Sequence, residues 1–245
     1  MQLETNQRLE LTERAAALTR NYERLRTHDL LRGLLTEDYP GRIGLVSSFG
    51  AEAAVTLHMV AEIDPYTPVI FLDTWKHFPE TLAYRDALVT RLGLCNMQTV
   101  TPRPVHLEVE DPDGDLNARD PDRCCHYRKT RPMLQALRAM DCWITGRKRH
   151  QADTRRELTL FEVQDRWIKV NPLLDWTPED VAAYYRAHDL PPHPLTSQGY
   201  PSIGCVPCTR PVAPGEDARA GRWADSEKTE CGIHFENGKI VRGGT

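Results

Sequence analysis

The sequence predicts an α/β protein with a mainly parallel sheet flanked by helices. Three observations lead there. Short apolar runs of strand length recur near residues 43–46, 69–72, 97–100, 143–146 and 167–171. Stretches with apolar residues at helical spacing lie between them, and Gly-, Pro- and Ser-containing loops join the two kinds of segment. A chain of 245 residues, 40% apolar and 27% charged, is ordinary for one globular domain with a small appended segment.

In chain order, residues 5–35 carry Leu9, Leu11, Ala15, Leu18, Leu25, Leu30 and Leu34 among charges, which predicts a packing helix at the domain edge. Ile43-Gly44-Leu45-Val46 reads as a buried strand, Ser47-Ser48-Phe49-Gly50-Ala51-Glu52 as a loop, and 53–62 as a helix. Strand, small-residue loop and helix start is an arrangement in which backbone N–H groups hold phosphate, though many α/β turns share it. A second strand ends in Asp73-Thr74, at the carboxyl edge where open α/β sheets bind ligands. Phe78 is either core or close to a ligand bound at that edge. A helix over 80–92 and a strand over 97–100 follow, and the Pro/Asp-rich stretch 102–122 is predicted as loop. Residues 130–140 are helical in pattern, 143–146 pass from strand to loop, and 167–171 form a strand. Thr177, Pro178 and Asp180 then spell a helix start with a capping-box pattern. A Pro-rich loop over 191–204 delivers Cys205.

No apolar run approaches the length of a membrane span and the first residues have no signal-peptide core, so a cytoplasmic location with no membrane partner is expected. In that compartment seven cysteines point to metal binding or thiol chemistry rather than a disulfide framework. Two pairs stand out, Cys124-Cys125 and Cys205-Val206-Pro207-Cys208. Four thiolates from two loops make a soft-ligand site suited to zinc or an iron–sulfur cluster. Adjacent side chains diverge and reach one ion only with strain, so the adjacent pair favours a 4Fe-4S cluster over zinc. Cys95 and Cys142 have no motif around them and read as small buried hydrophobes.

Cys231 stands apart in Glu230-Cys231-Gly232-Ile233-His234, near Lys228 and His234, surroundings that would lower a thiol pKa and make a nucleophile. Together with Arg123-Cys124-Cys125-His126-Tyr127-Arg128-Lys129 and Gly204-Cys205-Val206-Pro207-Cys208-Thr209-Arg210-Pro211, this tail resembles the assimilatory adenylyl-sulfate (APS) reductases of the phosphoadenylyl-sulfate (PAPS) reductase family. Three motifs agree in order across most of the chain, from about Gly44 to about His234. The resemblance implies an adenine-nucleotide α-hydrolase-like fold with a modified phosphate loop at Ser47, Ser48 and Gly50. Phe49 stands where the related ATP pyrophosphatases have a glycine, and their aspartate is absent, which argues against ATP hydrolysis. It also implies Cys231 as nucleophile, Cys124, Cys125, Cys205 and Cys208 as cluster ligands, and thioredoxin as reductant. The contacts to adenosine 5'-phosphosulfate carry over to Lys129, Arg155, Arg219, Arg222 and His234.

The basic run from Gly146 to Arg156 has a bland reading as a solvated face, and a nucleic-acid patch is the other alternative. Against a patch, the net charge is −4 and no aromatics interleave the cations, so no nucleic-acid partner is expected. The family frame here usually has Arg-Glu-Gln-Ser; this chain has Arg149-His150-Gln151-Ala152. The expected organisation is a nucleotide-binding unit over 1–227 and a mobile catalytic tail over 228–245. A homo-oligomer is compatible with the sequence. Three alternatives stay open: a PAPS or dual-specificity reductase, a zinc-stabilised nucleotide-binding protein without redox activity, and a pyrophosphatase-type enzyme. The altered phosphate loop and the Cys231 tail speak against the last.

Overall fold

The computed structural model describes residues 5–224, Lys228, Glu230 and Ile233, and the backbone of 235–236 and 239–240. Six strands form one sheet: β1 (Ile43–Val46), β2 (Val69–Leu72), β3 (Met97–Val100), β4 (Cys142–Ile144), β5 (Phe161–Gln164) and β6 (Trp167–Val170). Their order is β3-β2-β1-β4-β6-β5, and every neighbouring pair is parallel except β5 with β6. The chain builds outward from β1 in one direction and from β4 in the other. The switch point is therefore between β1 and β4, and a crevice opens beyond their carboxyl ends.

β1, β2, β4 and β6 are buried along their whole length, as parallel strands covered on both faces must be. Their side chains alternate between two apolar layers. Leu45, Phe71 and Ile144 pack with Leu18, Leu31 and Leu57, while Val46, Ile70 and Trp143 pack with Met133, Leu137 and Trp167. The helices are α1 (Thr5–Tyr22), α2 (Thr27–Gly33), α3 (Ala53–Ile63), α4 (Pro79–Leu92), α5 (Pro104–Glu110), α6 (Leu116–Arg119), α7 (Pro121–Cys125), α8 (Arg131–Ala136) and α9 (Pro178–Ala187). The capping box of α9 forms as its sequence predicts: Asp180 N–H donates to Thr177 Oγ1 and Thr177 N–H to the Asp180 carboxylate. Among the described residues no helix is long and apolar enough to cross a membrane.

The structure departs from the sequence reading in four places. The single helix over 5–35 is two, because Arg26 is extended (ψ 149°) and Tyr22, not Leu25, carries the buried stripe onward. Gly33 lets that ring approach: a Cβ there would lie 2.5 Å from Tyr22 Oη. The stretch 102–122 is not loop but holds α5, α6 and the start of α7, with Pro104 and Pro121 at first helical positions. Strand β5 escapes a pattern search because its polar residues are partners of buried cations, Glu162 for Arg147 and Lys169, and Gln164 for Lys169. Cys95 is exposed, its thiol donating to Gly93 O at the left-handed end of α4, whereas Cys142 is buried as expected.

Candidate active site

A cavity of about 230 Å³ lies at the β1/β4 switch point. Its walls come from the loop after β1, the loop after β4, residues 201–204, residues 219–223 and the tail at Glu230. Ser47, Ser48, Gly50, Lys129, Arg155, Arg219 and Arg222 all line it, so the fold gathers seven of the predicted substrate contacts in one place. The other two predicted residues here, Cys231 and His234, lie outside the described residues.

The loop after β1 is held by its own strain and packing. Phe49 adopts a left-handed backbone (φ 50°) that a bulky side chain rarely takes, and its ring is wholly buried edge-on to Phe71 at 5.6 Å. Its N–H donates to Ser47 Oγ, which turns the loop into the start of α3. The aromatic at the glycine position is thus a core anchor for the loop. Phe78 instead packs edge-on against Tyr200 and takes no part in the cavity wall.

The basic run divides: Arg147, Lys148 and Arg155 are buried, whereas His150 and Arg156 are exposed. Arg147 pairs with Glu162, buried Lys148 with Glu52 at 2.8 Å, and Arg149 with Asp175. Arg155 donates from Nε and Nη2 to the two oxygens of Glu230, at 2.5 and 2.9 Å. Thr154 Oγ1 donates to the same carboxylate, and Arg219 stands 3.7 Å from it. Gln151 joins the two ends, donating to Glu52 and accepting from Arg155. Burial alone would raise the Glu230 carboxyl, but hydrogen bonding and charge from Arg155, with Arg219 and Arg147, bring it down to about 2.

This latch holds the residue before Cys231 against the cavity wall. Its contribution is fully present above the ordinary glutamate range and is lost as pH falls from there through about 2. Glu230→Gln is expected to speed amide exchange in the tail at neutral pH by at least about tenfold. Equal exchange in the two proteins would mean that the ion pair does not hold the tail.

Two further groups border the cavity with buried nitrogens that have no hydrogen-bond partner among the described residues: Arg147 Nε and His77 Nδ1. His77 Nε2 lies 3.0 Å from Leu72 O, and burial lowers its pKa, which favours the neutral ring; since the carbonyl can only accept, Nε2 is then the donor and Nδ1 the acceptor. The sequence reading singled out none of Arg147, His77, Gln151 and Glu230. Only Glu230, by its place beside Cys231, carried a signal that could have been used.

The cysteine pairs meet beside this cavity. Cys124 and Cys125 end α7, which Asp120 caps through Arg123 N–H. Arg128 is buried, donates to Thr74 O and pairs with Asp111, tying the segment after the pair to the end of β2. The next residues, His126–Thr130, form a π-helical turn that widens the helix at Lys129. Cys205 Sγ lies 3.2 Å from Thr74 Oγ1, and Val206 N–H donates to Lys76 O. Cys124, Cys125 and Cys205 are buried and Cys208 is partly so. Burial pushes the Cys124 thiol up to about 11, relieved in part by Arg128 and reinforced by Cys205 and Cys208. Burial raises Cys208 too, opposed by the charges of Lys129, Arg222 and Lys228. Among the described residues no three cysteine sulfurs lie within 4.8 Å of one another.

Arg222 links cavity and cysteines: its Nε donates to Cys208 O and its guanidinium lies 4.3 Å over the Trp223 ring. Two glycines make room for this segment. A Cβ at Gly204 would fall 2.3 Å from Arg222 Nη2, and one at Gly221 would fall 2.1 Å from the Arg210 carbonyl oxygen. Gly221→Ala meets backbone and is expected to cost about 1–3 kcal/mol of stability. Gly204→Ala meets only the end of a side chain. It should leave the melting temperature nearly unchanged while displacing the guanidinium and raising KM. Equal losses of stability in the two variants would contradict this division.

Comparison with known proteins gives the family. The phosphoadenosine phosphosulfate reductase domain matches residues 42–211, most of the chain. The chain belongs to the phosphoadenosine phosphosulfate reductase family. Among its relatives, the adenosine 5'-phosphosulfate reductase of Mesorhizobium japonicum is 51% identical, over 91% of this chain and 87% of that one. That of Chelativorans sp. is 54% identical over 80% of each. A phosphoadenosine 5'-phosphosulfate reductase of Gloeobacter violaceus is 40% identical, over 79% of this chain and 82% of its own. Among solved structures, the PAPS reductase of Candida auris in a phosphate complex has a TM-score of 0.70 and 25% identity, covering 86% of this chain and 99% of that one. The FMN adenylyltransferase of Candida glabrata, at 16% identity and a TM-score of 0.53 over 93% of this chain and 79% of its own, shares the fold. The family thus accords with the α/β architecture expected from the sequence.

Proposed function

We propose that this family member reduces adenosine 5'-phosphosulfate to sulfite and AMP, with Cys231 as nucleophile and thioredoxin as reductant. One observation carries the reading: Glu230, covalent neighbour of Cys231, stands in the wall of a cavity lined by Lys129, Arg147, Arg155, Arg219 and Arg222. The phosphosulfate is anionic, and a thiolate approaches it only where cations screen their repulsion.

The chemistry balances in two stages. The Cys231 thiolate attacks the sulfate sulfur, forming the S–S bond of S-sulfocysteine as the S–O bond to phosphate breaks and AMP leaves with the electron pair. A thiolate of a dithiol protein then attacks the cysteine sulfur and releases sulfite. Its second thiol closes the partner's disulfide and frees Cys231. With Cys124, Cys125, Cys205 and Cys208 engaged elsewhere, the chain supplies no dithiol for this recycling, which supports an external one such as thioredoxin.

The cysteine site fits a 4Fe-4S cluster better than one zinc ion. Thiolates bound to one zinc at about 2.3 Å would stand only about 3.8 Å apart. Three of the four thiols are buried and none is in a disulfide, which is compatible with ligation of an inorganic group. Cys124, Cys125, Cys205 and Cys208 would hold the cluster, and it would supply a fixed charge beside Lys129 rather than an electron relay. Lys129 borders the cavity while its charge reaches Cys208, which supports a role in coupling the two.

The internal pairing of the basic run supports the expectation of no nucleic-acid partner, and a cytoplasmic location remains part of this proposal. The reading is tested by supplying APS or PAPS with reduced thioredoxin to anaerobically purified protein and quantifying sulfite. Sulfite from APS alone is expected. Comparable rates on both would move the specificity to a dual one, and none from either would overturn the reductase reading.

A further inference from the structure

Away from the cavity, three helices bring imidazoles to one carboxylate. His58 and Glu62 are one turn apart on α3, with His58 Nδ1 3.4 Å from Glu62 Oε2. His28, on α2, places Nε2 4.0 Å from that same oxygen. His188, at the end of α9, has its ring 4.6 Å from that of His58. Donor atoms of His58, Glu62 and His188 all lie within 4.8 Å of one another. None of these residues lines the cavity or belongs to the cysteine site.

We infer that His58, Glu62 and His188, with His28 completing the set, form a second metal site, specific for a borderline divalent cation such as zinc. Imidazole with carboxylate is a donor set that suits zinc, nickel or copper, in contrast to the thiolates of the cysteine site. Convergence of two helices on one oxygen, Glu62 Oε2, gives the site a centre. Ligands on a tetrahedral zinc at about 2.0–2.1 Å stand about 3.4 Å apart, so rotamer adjustment of exposed side chains closes the remaining gap.

Tyr184 borders the ligands. Its ring lies 4.1 Å from that of His188, and its hydroxyl is 2.9 Å from His58 Nδ1, a hydrogen bond that an ion bound at Nδ1 would displace. A bound ion would cross-link α2, α3 and α9. Since α3 begins at the loop after β1, the ion would also stiffen one wall of the cavity.

The test compares the full chain with a Glu62→Gln/His188→Gln double variant, both carrying the same cysteines. Both altered side chains are exposed, so the variant should fold, and its metal-free melting curve checks this. If the double variant melts early, His188→Gln alone replaces it. Zinc is added at equal concentrations and bound metal is measured by equilibrium dialysis. The wild type should retain an additional equivalent over the variant and gain melting temperature with zinc, as ligand linkage requires. The variant should bind that equivalent at least about tenfold more weakly, on the scale of lost metal-site partners. Equal zinc content and equal thermal shifts in the two proteins would overturn the inference, whatever the cysteines bind.

Discussion

Replacing Cys231 by serine is expected to cut sulfite formation from APS by at least about 1,000-fold while leaving AMP affinity unchanged. No other thiol is placed to take over. Cys142 begins β4 and Cys95 precedes β3, so both sit at the amino edge of the sheet, opposite the cavity. Burial pushes the Cys142 thiol well above its ordinary range. The other four thiols are those proposed to hold the cluster, and burial raises the pKa of Cys124 and Cys208. Sulfite assay and calorimetric AMP titration check the prediction together. Turnover within about tenfold of wild type would move the nucleophile elsewhere.

Lys129→Gln is the second large effect. A cation facing the sulfate acts where charge develops as the S–O bond breaks, and removing one such group typically costs about 100- to 1,000-fold in kcat. Lys129 sits in the π-helical turn directly after Cys124 and Cys125, so a purely structural role would disturb the cysteine site as well. The expected result is a fall in kcat of about 100-fold with iron per chain unchanged. Iron lost in step with activity would make Lys129 a structural support instead.

The sequence was most informative where chemistry is local. The cysteine pairs and the loop after β1 could be picked out from neighbouring residues, the cations at 129, 155, 219 and 222 only through the family resemblance, and the fold brings that loop and those cations to one cavity. What escaped was long-range. Glu230 acquires meaning only because Arg155, 75 residues earlier, faces it. Arg147 and Lys148 look like surface charge until Glu162 and Glu52 are brought to them. Strand β5 was hidden for the same reason, since its polar residues pair across the sheet. His28, His58, Glu62 and His188 span three helices and have no shared motif beyond the one-turn His58/Glu62 spacing. The opposite error came from over-continuing a local pattern: leucine spacing over 5–35 ignored the change of face at Arg26.

The most direct test is a single turnover without reductant. Anaerobic protein is mixed with an equivalent of APS, AMP is quantified, and the peptide containing Cys231 is weighed by mass spectrometry. The account predicts stoichiometric AMP, a sulfonate on Cys231 and no free sulfite until reduced thioredoxin is added. Free sulfite with unmodified Cys231, or AMP formed with no sulfonate on the chain, would contradict it.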